Sequence, residues 1–145
     1  MVIRLLPNQV PKLWNQIKYA VVNTDRVSEK DMPRYLNDLL HALLSDKAQC
    51  FIRFDEDRML KALCITKIGL DELSGERSLV LQCLFSYQRV PEQEWKDNLE
   101  FIELFARKSK CKSILAYSEN QRIFDLASST NFEERFRCFI KRLED

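Results

Sequence analysis

A lone histidine, five cysteines, four tyrosines and two clusters of like charge are the side chains from which this chain can assemble chemistry. His41 stands at helical spacing from Asp38 and Ser45. A serine nucleophile needs an activating base and a defined turn to present it, and no G-x-S-x-G elbow exists, so His41 is expected on the surface. Cys50, Cys64, Cys83, Cys111 and Cys138 are widely separated, form no C-x-x-C pair and fall mostly in apolar runs. That pattern predicts buried free thiols in a reducing compartment rather than disulfides or a zinc site. Asp55, Glu56 and Asp57 offer oxygen ligands. Without further spaced oxygens they predict a solvated hairpin turn, not a cation site. Arg135, Arg137, Lys141 and Arg142 interleave with Phe139, a pattern that suits a phosphate backbone. Glu133, Glu134, Glu144 and Asp145 dilute that charge, so an exposed strand face or a protein interface is expected there rather than nucleic acid. No metal is expected.

The elements that must position these residues belong to a chain that is 46% hydrophobic and 31% charged, with a net charge of +1. This is the composition of a soluble globular protein. It carries no global attraction for nucleic acid or an anionic membrane. No apolar run approaches the roughly 18 residues of a membrane span, and MVIRLLPNQV lacks the long apolar stretch and cleavage site of a signal peptide. The length suits one domain, residues 1–145, with a full core, and a cytoplasmic location is expected. No dinucleotide fingerprint or Walker loop is present.

Val2 to Leu6 reads as a strand closed by Pro7, and residues 7–23 as a helix with Leu13, Ile17 and Ala20 on one stripe. Met32 to Ser45 is a second helix, with Pro33 in its first turn and Leu36, Leu39, Leu40, Leu43 and Leu44 at a 3.6 period. QCFIRF, MLKALCITKI and SLVLQCLFSY are then strands of an antiparallel meander, the third apolar enough to be covered on both faces. The only glycines, Gly69 and Gly75, fall in the expected turn between the second and third. Pro91 to Ser109 is the longest helix, with Glu92 and Glu94 at its start and Arg107 and Lys108 near its end, as the helix dipole favours. Trp95, Leu99, Ile102 and Ala106 form its buried stripe, widened by Phe101 and Phe105. CKSILAYS is a strand and NQRIFDLASST a short helix. FEERFRCFIKRL is expected to close the sheet, with Phe132, Phe136, Cys138 and Ile140 on one face. The order predicts an α/β (α+β) layered domain: a mixed, mainly antiparallel sheet of about six strands with four helices on its faces.

That order, with Asn120, Ile123, Ala127, Asn131 and Phe132 in NQRIFDLASSTNF, resembles the GNAT acetyltransferase superfamily over essentially the whole chain. Asn131 stands where the family has a glycine, and asparagine is the next residue to accept a left-handed backbone. The resemblance implies an acyl-CoA site near Leu84, Phe85, Tyr87, Gln88, Arg89 and Asn120. It also shows departures. The family's pyrophosphate loop is glycine-rich so that backbone N–H groups can approach the phosphates, whereas YQRVPEQEWKDN has no glycine, a proline without an N–H, a bulky Trp95 and two acids. Ala127 occupies the position of the tyrosine that protonates the leaving thiolate in many relatives, with Tyr117 or Tyr87 as substitutes. The strand SLVLQCLFSY offers no Glu, Asp or His as a general base.

From these departures the expected function is that of a non-catalytic GNAT-fold structural or interaction protein, with no cofactor and no catalytic residue. Similarity in sequence style to phage-encoded GNAT-like proteins places it in a virion or host complex. A protein partner or self-association is expected, and Trp95 and its neighbours should narrow or fill the mouth of the vestigial site. The alternative is an active acyl-CoA-dependent N-acetyltransferase with an atypical pyrophosphate loop, taking acetyl-CoA.

Overall fold

The structure, a computed structural model, describes residues 1–24, 27–118 and 120–143. Five strands form one sheet in the order β1 (Val2–Arg4), β2 (Ala48–Phe54), β3 (Leu60–Leu70), β4 (Arg77–Ser86), β5 (Ser113–Ala116). The first four pair antiparallel with their neighbours, and β5 runs parallel to β4. The expected meander of three strands is therefore present, joined by short turns.

Strand alternation divides the interior into two cores. On one face Cys50, Ile52, Leu63, Ile65 and Cys83 meet Val10, Ile17, Ala20 and Val21 of α1 (Val10–Thr24) and Leu39 and Leu43 of α2 (Met32–Leu44). On the other face Phe51, Cys64, Leu79 and Leu81 meet Ile102 and Ala106 of α3 (Glu92–Lys108). α4 (Gln121–Ser129) lies on this second face, where Ile123, Leu126 and Ala127 share a cavity wall with α3. Fully burying a side chain such as Phe51 contributes about 1.5–3 kcal/mol, and its ring also meets those of Phe101 and Phe105 edge-on. Leu44 is the one leucine of the expected α2 stripe that remains exposed.

Local chemistry sets the element ends. Asn120 caps α4 by accepting the Arg122 N–H at 2.9 Å. Past α4 the chain turns at Asn131, whose φ of 67° is left-handed. Gly75 turns the β3–β4 connection with φ of 73°, whereas Gly69 lies inside β3. The acidic turn after β2 is held by Asp55, whose Oδ1 accepts from the Asp57 and Met59 N–H groups. No group of residues that would hold a metal ion occurs among the described residues. Nor is any helix among them long and apolar enough to cross a membrane.

The expected closing strand does not form. Residues 132–143 have no regular secondary structure and no sheet partners, and Phe136, Phe139, Ile140 and Leu143 are exposed. Alternation makes a segment fit for a strand, but a strand also needs a neighbour to take its backbone hydrogen bonds. Here Arg135 is held by the buried Asp71 at 2.6 Å and Arg137 pairs locally with Glu134. Phe132 packs on the second core, and beyond Phe136 the segment leaves it.

Candidate active site

The parallel ladder between β4 and β5 runs from Ser78↔Ser113 to Leu81↔Ala116 and stops, while β4 continues to Ser86. At the same level β4 has an extra residue: Ile65 faces Cys83 and Thr66 faces Leu81, so Gln82 is bulged. A bulge bends and twists its strand, and here it accompanies the parting of β4 from β5. It also puts successive residues on one face. Gln82 donates to the Tyr35 hydroxyl at 2.6 Å on the α2 side, and Cys83 enters the core beneath α1 and α2. Leu84 returns to the opposite side.

There, between the sheet and helices α3 and α4, lies a cavity of about 80 Å³. Leu81, Leu84, Trp95, Leu99, Ile123 and Ala127 are among the apolar residues that line it. Among its described lining residues none is Asp, Glu or His. Trp95 narrows this space without filling it. Its indole Nε1 is buried and has no hydrogen-bond partner.

The entry to α3 is fixed by charge. Glu94, in the first turn, accepts from Lys61 Nζ at 2.8 Å and pairs with Arg53 Nε at 3.0 Å. Arg53 also donates to Asn98 Oδ1 at 2.8 Å. The carboxylate expected to stand bare at the helix end is thus compensated by two cations of the sheet. Glu92 remains exposed and, with Arg122, Asp125 and Ser129, lines a second recess of about 200 Å³. The Arg122 guanidinium donates to the Val90 carbonyl at 2.8 Å, fastening α4 to the loop before α3.

The residues expected at an acyl-CoA site separate. Leu84 lines the cavity, and Asn120 caps the helix on its far wall. Phe85 and Tyr87 face the first core, where their rings meet Tyr19. Gln88 turns to Asp55 Oδ2 at 2.8 Å, and Arg89 is exposed. Tyr87 donates to the Gln16 carbonyl at 2.7 Å, and burial holds its ionisation above the usual tyrosine range. Tyr117 is exposed beside Phe136. Ala127 does line the cavity, so the position matched to a family tyrosine carries only a methyl group there. His41 is exposed, as expected, and the five cysteines form no disulfide. The Gln82 bulge and the cations of Glu94 escape sequence reasoning, since both depend on cross-strand register.

No family model and no curated protein matches this chain. Solved structures do. A protein described as a probable acetyltransferase superimposes with a TM-score of 0.74 at 14% identity, covering 100% of this chain and 99% of its own. AAC(6')-Iy, in complex with the bisubstrate analogue CoA-S-monomethyl-acetylneamine, gives 0.71 at 14% identity over 100% and 98%. The aminoglycoside 6'-N-acetyltransferase of Acinetobacter baumannii gives 0.69 at 12% over 99% and 99%. The fold is that of the GNAT acetyltransferases. Among the described residues it has five strands, close to the expected number, and the expected four helices.

The expectation of a non-catalytic scaffold without cofactor is corrected by the solved structures. The GNAT-fold structures that this chain resembles are acetyltransferases, one of them holding a coenzyme A analogue. At the mouth, Trp95 narrows a cavity that lies between the sheet, α3 and α4, one of the two outcomes expected for it. None of these neighbours is described as a virion or phage protein.

Proposed function

We propose that this chain is an acyl-CoA-dependent N-acetyltransferase with an atypical pyrophosphate loop, acting as one domain over residues 1–145. The observation that carries this reading is the parting of β4 from β5 at the Gln82 bulge, with a cavity beside it. Beyond Leu81, no described strand covers the β5-side edge of β4. Main-chain N–H groups at such an edge are fixed dipoles, suited to the oxygen of a thioester carbonyl as charge develops on it. The apolar walls fit an aliphatic donor arm.

In the reaction a neutral amine attacks the thioester carbon, the C–N bond forms, the C–S bond breaks, and the sulfur leaves as a thiolate. The ammonium proton passes to solvent or to the thiolate. Tyr35 and Gln82 are bonded to each other on the other side of the bulge. Among the described residues no carboxylate or imidazole lines the cavity, and on this reading the substrate amine arrives unprotonated. kcat/KM should therefore rise with pH along the substrate amine's own ionisation, tenfold per unit below its pKa. A profile levelling off near pH 7 with a high-pKa amine would point to an enzyme base and count against this account.

Calorimetry with acetyl-CoA on the reduced protein tests the reading directly. The expected result is micromolar binding and a raised melting temperature, followed by thiol release with an amine panel. No heat at millimolar ligand, and no thermal shift, would sink it.

A further inference from the structure

We propose that residues 134–142 are a self-association segment, through which two copies of this chain pair as an antiparallel ribbon with Cys138 on the two-fold axis. This association does not depend on the acyltransferase chemistry.

The segment has what a strand needs except a neighbour. Among the described residues, the last backbone hydrogen bond along the chain is donated by Phe132 to the Ala127 carbonyl at 3.0 Å. Beyond it Phe136, Phe139, Ile140 and Leu143 are exposed. The start of the segment is fixed to the body, because Phe132 packs on the second core and Arg135 reaches Asp71. Exposed apolar side chains on a stretch with free backbone groups are a template for another chain.

The segment's own residues select a second copy as that chain. Residues directly opposed across two antiparallel strands share a face. A two-fold axis keeps every residue on its own face, so one residue must face its own copy. With Cys138 in that place, Phe136 faces Ile140 of the second copy and Glu134 faces Arg142 of the second copy, each twice. Apolar meets apolar and acid meets base on one face, and both kinds of pair stabilise a ribbon. The neighbouring symmetric registers set like charges together. An axis at Phe136 opposes Arg135 to Arg137, one at Arg137 opposes that residue to its copy, and one at Phe139 opposes Arg137 to Lys141. On the reverse face of the Cys138 register Arg135 does meet Lys141, but Asp71 of its own chain already compensates it. The local pair of Glu134 with Arg137 is exposed on both sides. Such pairs contribute little, so it yields to the ribbon at small cost.

Sedimentation of the reduced full chain over a dilution series tests the proposal. One short paired segment is a small interface, so a monomer–dimer equilibrium with a dissociation constant on the order of 10 µM is expected. At submicromolar dilution the chain is monomeric, and its unfolding does not read the contact. Glu134→Arg and Arg142→Glu should each weaken the dimer about tenfold. An equimolar mixture of the two variants restores the charge match and should associate like wild type, a rescue that a folding defect would not show. Diamide should capture the wild-type dimer as a Cys138–Cys138 disulfide, the two thiols losing two protons and two electrons to the oxidant. Opposed residues of such a ribbon have Cα atoms about 4.5–5.5 Å apart, within disulfide range. A chain that stays monomeric at millimolar concentration overturns the proposal. So does a dimer that is indifferent to the charge exchange and does not cross-link through Cys138, which would assign the contact to another face, such as the outer edge of β5 at the end of the sheet.

Discussion

Glu94 shares its carboxylate between Lys61 and Arg53, and each of the three side chains is about four-fifths shielded from water, with exposures of 21%, 19% and 16%. Shielded ion pairs gain little over an apolar replacement, but removing one partner strands the others. Glu94→Gln should thus destabilise the fold by about 2 kcal/mol, measured by urea unfolding, with the loss growing little in low salt. An unchanged midpoint would mean that the two cations find other partners. Asn131 makes a second residue-scale case. Its φ of 67° costs a β-branched side chain about 1–2 kcal/mol. Asn131→Val should lose that amount, and Asn131→Gly should lose none of it. This position was legible in the sequence because asparagine announces the backbone it tolerates. The Glu94 cluster was not, because its cations come from β2 and β3, 41 and 33 positions away in the chain.

Elements succeed or fail here by what they lie against. α3 was legible because its stripe, acids and terminal cations agree with one another, and Ile102 and Ala106 are buried as expected. Truncating Ile102 to Ala should cost about 2–5 kcal/mol, read from thermal unfolding. The C-terminal segment was misread because alternation says which side chains share a face and not whether a neighbouring strand exists. Its foothold is Asp71, at the β3–β4 connection. The Leu73 N–H, the Ser74 hydroxyl and then Arg135 hold that carboxyl below the usual range. A carboxyl whose folded pKa is depressed adds stability that is complete above its unfolded pKa of about 4 and is lost as pH falls through the lower folded value. The melting-temperature gap between wild type and Asp71→Asn should be constant near neutrality and close below about pH 4. A gap that persists in acid would assign the effect to geometry instead of charge.

At the scale of the molecule, the order of elements as far as α4 followed from hydrophobic period, while the parting of β4 and β5 did not. That parting accompanies one bulged residue, and nothing in SLVLQCLFSY marks Gln82 as the extra one. The exposed end of the chain makes a complementary prediction: Phe139→Asp with Ile140→Lys should leave unfolding within about 0.5 kcal/mol of wild type, since these side chains are 90% and 75% exposed. The thiols have a further use. Cys138 is exposed, whereas Cys50, Cys64 and Cys83 lie in the interior. Burial first, and then the neighbouring Cys83, raise Cys50 to about 12 and Cys64 well above its ordinary value. Because thiolate is the reacting form, a maleimide pulse on the folded protein should tag Cys138 at once and the three interior thiols only when the sheet opens. The chain thus carries a fast tag and an internal clock for its own opening, readable by mass spectrometry without engineering a single residue.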